Sequence, residues 1–341
     1  MDTIAQAHDI LCGMMYDFVS VGDTTTDAFI RLKEARVSCD IDDANCTISM
    51  RWGDKIPYEK VDVVKGVGNA GNAAVAAARL GLKAALVTDI GMDDNGDGCL
   101  AVWKKEGITD EFVRRHAEYP THYHYVLQYE AERTILIKHQ PWPYSVPEFS
   151  DTPRWIYFTS TGEHGEPYHH ELAAYVKKSG AKLAFQPGTF QIALGADKIK
   201  DVYEASEIFF CNKEEAQRIL DTKDGNIREL LKGICSLGPK KSVITDGPLG
   251  AYGYDGEKTY SVPMYPDPAP PTDRTGAGDA IAATITSMLA GDMNLKDALA
   301  RGPINSMNVV QHVGAQAGLL TKNKIEEHLK NAPEDYMVKE M

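Results

Sequence analysis

The chain has no apolar run approaching the ~20 residues that a membrane-spanning helix needs, and its mean hydropathy is −0.32. It also lacks any block of Lys and Arg. Its 36 basic residues stand against 49 acidic ones, a formal net charge of −13 over 341 residues. That balance argues against nucleic acid as a partner, while leaving room for a small anion held by local donors. The six cysteines (Cys12, Cys39, Cys46, Cys99, Cys211 and Cys235) include no C-x-x-C pair. Scattered through a chain of this length, they read as reduced thiols rather than a disulfide framework. The opening stretch "MDTIAQAHDILCGMM" has an acidic second residue and only a short apolar run, so it does not read as a signal peptide. Internal repeats, low-complexity tracts and an interdomain linker are likewise missing. Together these absences lead to the expectation of a soluble cytoplasmic protein.

What the chain does contain is a rhythm. Short apolar runs at 16–22, 83–91, 155–161, 182–186, 207–212 and 241–247 alternate with helix-like segments at 72–81, 95–107, 167–180, 213–220 and 280–291. Continuous apolar strands between helices, many of which end in Gly, point to an α/β fold with a mainly parallel sheet covered on both faces. Two stretches, 28–64 and 112–139, break the rhythm by alternating polar with apolar residues and showing no helix. They are expected to form antiparallel strands outside the main sheet, as a small β-sheet lid. The organisation expected is one large α/β domain over 1–341, its lid made of inserts at about 28–65 and 112–139.

The densest chemistry lies in "DRTGAGD", Asp273 to Asp279, directly before an alanine-rich helix. Gly276 and Gly278 let the backbone come close to a ligand. The N–H groups of Gly276, Ala277 and Gly278 would then point past a helix N-terminus, which is an anion site. Asp279 has an ordinary alternative use as a helix cap. A carboxylate beside an anion cradle is also what phosphoryl transfer needs, one group to take an alcohol proton and donors to hold the moving charge.

"DRTGAGDAIAATI" resembles the carboxyl-terminal signature of the ribokinase-like, PfkB-type carbohydrate kinases, matching at Asp273, Thr275, Gly276, Ala277, Gly278 and Asp279. The resemblance implies a three-layer ribokinase-like fold, with Asp279 as the catalytic base and Gly276, Ala277 and Gly278 as the anion hole. Further motifs follow in the family's order. "GNAGNAAVAAARLGLKAALVTDIGMDDNG" is similar to the amino-terminal signature, although Val67 stands where a glycine is usual; it implies Gly68, Asn69 and Asn72 as acceptor-binding residues. "VSVGDTTTDAFI" resembles the first strand and loop and implies Asp27, less clearly Asp23, as a ligand to sugar hydroxyls; aspartates after strands also simply form turns. "CNKEEA" matches N-x-x-E at Asn212 and Glu215, which implies magnesium bound through water, with Asn212 on the nucleotide side. "ITDGPLGAYGY" resembles a nucleotide segment with Thr245, Gly247 and Gly250 near the ATP phosphates. Asn308 falls where a late helix would close the adenine pocket. Arg133 either reaches the substrate from the lid or pairs with Glu132 or another neighbour. The family's D-P-N-x-R-like stretch is replaced by "FQPGTFQ", with Gln186 and Gln191 at charged positions, so no hexose-specific contact carries over.

The function implied is an ATP- and Mg²⁺-dependent kinase acting on a primary hydroxyl of a small ribose- or fructose-like sugar. An adenosine-like nucleoside is the alternative acceptor. A monovalent cation near Asp273 and Thr275 and a homodimer formed through the lid are further implications. A different reading comes from Gly66, Gly68 and Gly71, which spell G-x-G-x-x-G with Asp89 about twenty residues on, the dinucleotide fingerprint of an NAD(P) oxidoreductase. It leaves "DRTGAGD" unexplained and puts a short polar run where a central strand belongs. A non-catalytic sugar-binding regulator would keep the fold without using Asp279. His164, His169 and His170 lack a further ligand at metal spacing and read as a solvated helix face. Trp52, Tyr123, Tyr125 and Tyr129 either pack the lid or stack on a substrate ring.

Overall fold

A computed structural model describes residues 15–39, 46–130 and 132–341. The opening stretch read for a signal peptide, and Cys12 within it, lie outside these residues except for Met15. A ten-stranded sheet forms the centre. Its spatial order is Lys339–Glu340, Thr259–Val262, Ala251–Tyr254, Ser242–Thr245, Ser206–Asn212, Lys182–Phe185, Trp155–Phe158, Phe18–Val21, Ala84–Gly91 and Val113–His116. From Ser242–Thr245 onward every neighbouring pair is parallel; the strands before it are antiparallel. Strands such as Trp155–Phe158 are wholly buried because helices cover both faces, which is why they read as unbroken apolar runs. The order reverses around Phe18–Val21, which has a later strand on either side. In open α/β sheets such a switch point opens a crevice beyond the carboxyl ends of the strands.

Two alanine-rich helices, Asn69–Arg79 and Ala277–Ala290, pack against each other on one face of the sheet. Ala70, Ala73, Ala74, Ala77, Ala280 and Ala283 are almost fully buried in the same core. Small side chains let backbones approach closely, and this approach brings the two N-termini together at the crevice.

The lid is a four-stranded sheet, ordered Tyr58–Val67, Thr25–Leu32, Tyr123–Tyr129 and Glu132–Leu136. It differs from expectation in two ways. Thr25–Leu32 and Tyr123–Tyr129 are parallel, because a strand in each insert leaves the main sheet in the same direction. Val113–His116 joins the main sheet beside Ala84–Gly91, so the second insert contributes a shorter piece than 112–139. A separate hairpin, Arg36–Ser38 with Thr47–Ser49, projects from the first insert. It corrects the cysteine reading: the hairpin brings the Cα atoms of Cys39 and Cys46 to 4.0 Å and the two are disulfide-bonded. A seven-residue spacing carried no sign of that pairing. Residues 40–45 between them are outside the described set. Cys99, Cys211 and Cys235 are free thiols.

Among the described residues no helix is long and apolar enough to cross a membrane. His164, His169 and His170 do not converge: His169 is buried against the Gly165 carbonyl, and His170 pairs with Asp201 at 2.8 Å.

Candidate active site

Asp279 lies in the first turn of Ala277–Ala290, two residues after the helix begins, rather than at its cap. The cap is Gly276, held at φ +79°. A Cβ there would sit 2.2 Å from that of Ala315, so both space and backbone demand glycine. The Ala277 N–H leans back on the Arg274 carbonyl at 3.4 Å. Gly276 and Gly278 keep N–H groups with no partner among the described residues, so two of the three expected anion-hole amides are free.

Neutral amides surround the Asp279 carboxylate. Asn72 Nδ2 donates to Oδ2 at 2.8 Å, and Asn69 Nδ2 and Gln186 Nε2 donate to Oδ1 at 3.0 and 3.3 Å. Tyr157, fully buried in the sheet, donates to Gln186 Oε1, and Gln316 Nε2 donates to Asn72 Oδ1 at 3.2 Å. Burial raises Asp279 above the usual carboxylate range, against the opposing pull of these three amides and of the Arg133 charge. A carboxylate of raised basicity is suited to accept a proton.

Three cavities meet here. The largest, about 580 Å³, is lined by Asn212, Glu215, Thr245, Gly247 and Gly276 to Asp279. It opens into a more apolar cavity of about 370 Å³ bordered by Gly250, Tyr265, Pro266 and Val310. On the lid side lies a cavity of about 300 Å³ that Asp27, Gly68, Asn69 and Asn72 line. Asp279 lines both the first and the last, as do Asn69, Gln186 and Glu215.

Asn212 and Glu215 form a reciprocal capping box on Lys213–Ile219, each side chain accepting from the other's backbone N–H at 2.8 Å. Glu215 Oε1 is left without a protein partner and faces the cleft. Burial raises the Glu215 carboxyl. Asp27 is pushed up to about 7, chiefly by burial, with Asp273 adding to it. Its Oδ1 is buried without a hydrogen-bond partner.

Several residues sit elsewhere than expected. Arg133 comes from the lid but lines the 580 Å³ cavity, not the acceptor side, and it is Glu132 that pairs with Arg274, at 3.5 Å. Asn308 donates to the Gly318 carbonyl at 2.6 Å and lines none of the three cavities; Ser306 and Val310 face the outer one. Gln191 is buried, with Nε2 on the Thr159 carbonyl and on His169. Trp52 is fully exposed, and neither it nor Tyr123, Tyr125 or Tyr129 lines these cavities. Asp93 caps the helix Asp94–Lys105.

Asp23, the less clear of the two expected aspartates, lines the acceptor side, and beside it stands a group the sequence reading missed: His122, His124 and His139. For His122 and His124 the signal was a period of two. Asp27 pairs in register with His124 and Ala28 with Tyr125, so across "HYHY" the histidines share the Asp27 face and the tyrosines take the other.

Of the dinucleotide fingerprint, Gly66 lies within a lid strand, Tyr58–Val67, whose outer half is exposed, and Gly68 and Gly71 follow it. Asp89 is buried between Arg114 and His116, each at 2.7 Å. A central strand feeding a dinucleotide turn is therefore not what the motif marks.

A largely parallel sheet with a β lid, and a carboxylate between two cavities at the strand ends, is the architecture of ribokinase-like kinases. The nucleoside kinase of Methanocaldococcus jannaschii superposes with a TM-score of 0.76 over 94% of this chain and 99% of that one, at 19% identity. A ribokinase of Arabidopsis thaliana, solved with ribose and ATP, gives 0.75 over 93% and 99%, also at 19% identity. The chain belongs to the pfkB family of carbohydrate kinases, whose family model matches residues 53–322. The ribokinase of Bacillus subtilis is 26% identical over 269 residues, covering 77% of this chain and 87% of that enzyme. Membership in this family makes the chain a phosphotransferase of the carbohydrate-kinase type and sets aside the oxidoreductase.

Proposed function

We propose that the enzyme transfers the γ-phosphoryl group of ATP to a primary hydroxyl of a small ribose- or fructose-like sugar. The observation that carries this reading is the position of Asp279, which lines the phosphate-side cavity and the acceptor-side cavity at once. In this mechanism Asp27, Gly68, Asn69 and Asn72 hold the acceptor, and Asp279 takes the proton of the attacking hydroxyl. The free N–H groups of Gly276 and Gly278, at the positive end of Ala277–Ala290, stabilise charge on the transferring phosphoryl. Ala277 shapes that loop while its own N–H stays on Arg274. Thr245, Gly247 and Gly250 border the nucleotide, and Asn212 lies at its phosphate end. Asn308 acts only indirectly, by tying the late helix to Gly318.

Glu215 Oε1, unpartnered and facing the cleft, fits a magnesium ion held through water, which would neutralise charge on the nucleotide phosphates. Asp273 has both oxygens engaged, Oδ1 by Thr275 and Oδ2 by Gly314, and offers a monovalent cation no unpartnered oxygen.

Arg133 approaches from the lid over the phosphate side, which ties lid closure to charge neutralisation and to exclusion of water as a competing acceptor. The outer lid face exposes Val61, Val63, Tyr125 and Leu136, the apolar surface that a homodimer through the lid would cover; light scattering reads the mass. A nucleoside acceptor is the second reading, supported by the apolar wall that Ile135, Ile137 and Phe190 offer to a base. ADP release in the presence of D-ribose, D-fructose and adenosine separates the two. Release with adenosine alone would replace the sugar reading, and release with none of the three would end it.

A further inference from the structure

The acceptor cavity has a further polar group, His139, that none of the family motifs supplies. Ile135, Ile137 and His139, at alternate positions where the chain leaves the lid, all line it. His139 Nδ1 lies 2.8 Å from Asp23 Oδ2. A carboxylate oxygen only accepts, so in the neutral imidazole the proton sits on Nδ1 and Nε2 carries the lone pair. Asp23 is itself clamped: Tyr144 Oη donates to both of its oxygens, at 2.9 and 3.0 Å, and accepts the Gly162 N–H at 2.9 Å. Phe190 meets the His139 ring edge-on at 5.2 Å, and His122 does so at 5.0 Å. The ring is thus fixed in orientation and tautomer, with Nε2 unclaimed by any described residue.

Asp23, His122 and His139 also bring possible metal ligands within 4.8 Å of one another. His122 Nε2, however, already accepts the Gln140 N–H at 2.8 Å, and His139 Nδ1 already donates to Asp23. Hydrogen bonds thus already occupy one nitrogen of each histidine, while His122 Nδ1 is buried without a partner.

A fixed lone pair facing a cavity calls for a donor, and among sugar substituents that donor is a hydroxyl. A carboxylate or phosphate would meet this lone pair with its own, beside the carboxylates of Asp23 and Asp27. We infer that His139 determines acceptor specificity: its Nε2 accepts a hydrogen bond from a hydroxyl of an uncharged, polyhydroxylated acceptor, with Asp23 and Tyr144 as positioning residues. The inference rests on the kinase reading above and deepens it by excluding anionic acceptors.

The test is initial-rate ADP release with D-ribose, D-fructose and D-fructose 6-phosphate, for the native enzyme and for His139→Leu, His139→Gln and Tyr144→Phe. Expected is a KM for the sugar raised roughly 10- to 100-fold in His139→Leu, with KM for ATP unchanged and kcat altered less than KM. His139→Gln, whose Oε1 replaces the Nε2 lone pair, recovers most of the loss, and Tyr144→Phe gives a smaller rise. The native enzyme turns over D-fructose with higher kcat/KM than its 6-phosphate. A sugar KM in His139→Leu within two-fold of native overturns the inference alone, as does preference for the phosphate ester. So does a stoichiometric zinc ion that purifies with the native enzyme and is lost in His139→Leu. Silence of the native enzyme on every probe overturns the sugar reading of the acceptor, and this inference with it.

Discussion

Asn72 and Asp279 are 207 positions apart in the chain, and the amide of one lies 2.8 Å from the carboxylate of the other. Each sits in the first turns of an alanine-rich helix, and the close packing of those helices creates the contact. Because the donor is neutral, it orients the carboxylate without adding a full opposite charge. Asn72→Leu removes a hydrogen bond that favours the charged form, so the Asp279 carboxyl rises further. The acid limb of the kcat/KM profile is expected to move to higher pH, with a loss of about ten-fold at neutral pH. An unmoved limb would show that the bond does not tune the base.

Replacing the base itself tests its role. Asp279→Asn keeps the shape and the three amide neighbours but cannot take a proton. Turnover is expected to fall by about 10²- to 10⁴-fold, while ATP and sugar still bind by titration calorimetry. Near-native kcat would remove Asp279 from the mechanism.

The two loop glycines separate folding from anion binding. A Cβ on Gly276 would meet Ala315 in a left-handed backbone, whereas one on Gly278 has nothing within 4 Å. Gly276→Ala is expected to lower Tm by several degrees, from a cost above about 1 kcal/mol. Gly278→Ala should melt as the native protein does and lose activity through steric interference with phosphate approach. Equal melting temperatures for the two variants would contradict the packing described.

Asp27 is a pH-dependent liability. Its folded-state value of about 7 lies above the ordinary 3.8, so between those values the native state binds more protons than the unfolded chain. Stability therefore falls as pH rises through that window and is restored below about pH 4. Asp27→Asn should stabilise the protein at pH 8 by roughly 1–3 kcal/mol and be nearly neutral at pH 4, while raising KM for the sugar. Melting curves at the two pH values decide it.

The main sheet was legible because its strands are buried on both faces and its helices end in glycine. The antiparallel strands at its edge were not, since Ala251–Tyr254 and Thr259–Val262 are short and only partly apolar. At the site, local motifs located Asp279, Glu215 and the glycine turns, whose spacing is set by single loops. The contact of Gln186 with Asp279 and the place of His139 escaped because they arise from which strand ends lie side by side. Asn308 was misplaced for the same reason, its helix being rotated so that Ser306 and Val310 face the cavity. The tyrosines of "HYHY" drew notice by size, although the alternation itself assigns the histidines to the Asp27 side.

That alternation makes the lid a reading frame. Deleting one residue at Pro120, just ahead of the strand, can be absorbed in the turn. Deleting Tyr123 would turn the following side chains over, setting Tyr125 beside Asp27 in place of His124. The chemistry offered to the acceptor is written in register as much as in residue identity, so within Tyr123–Tyr129 the count of residues has to stay as fixed as the residues themselves.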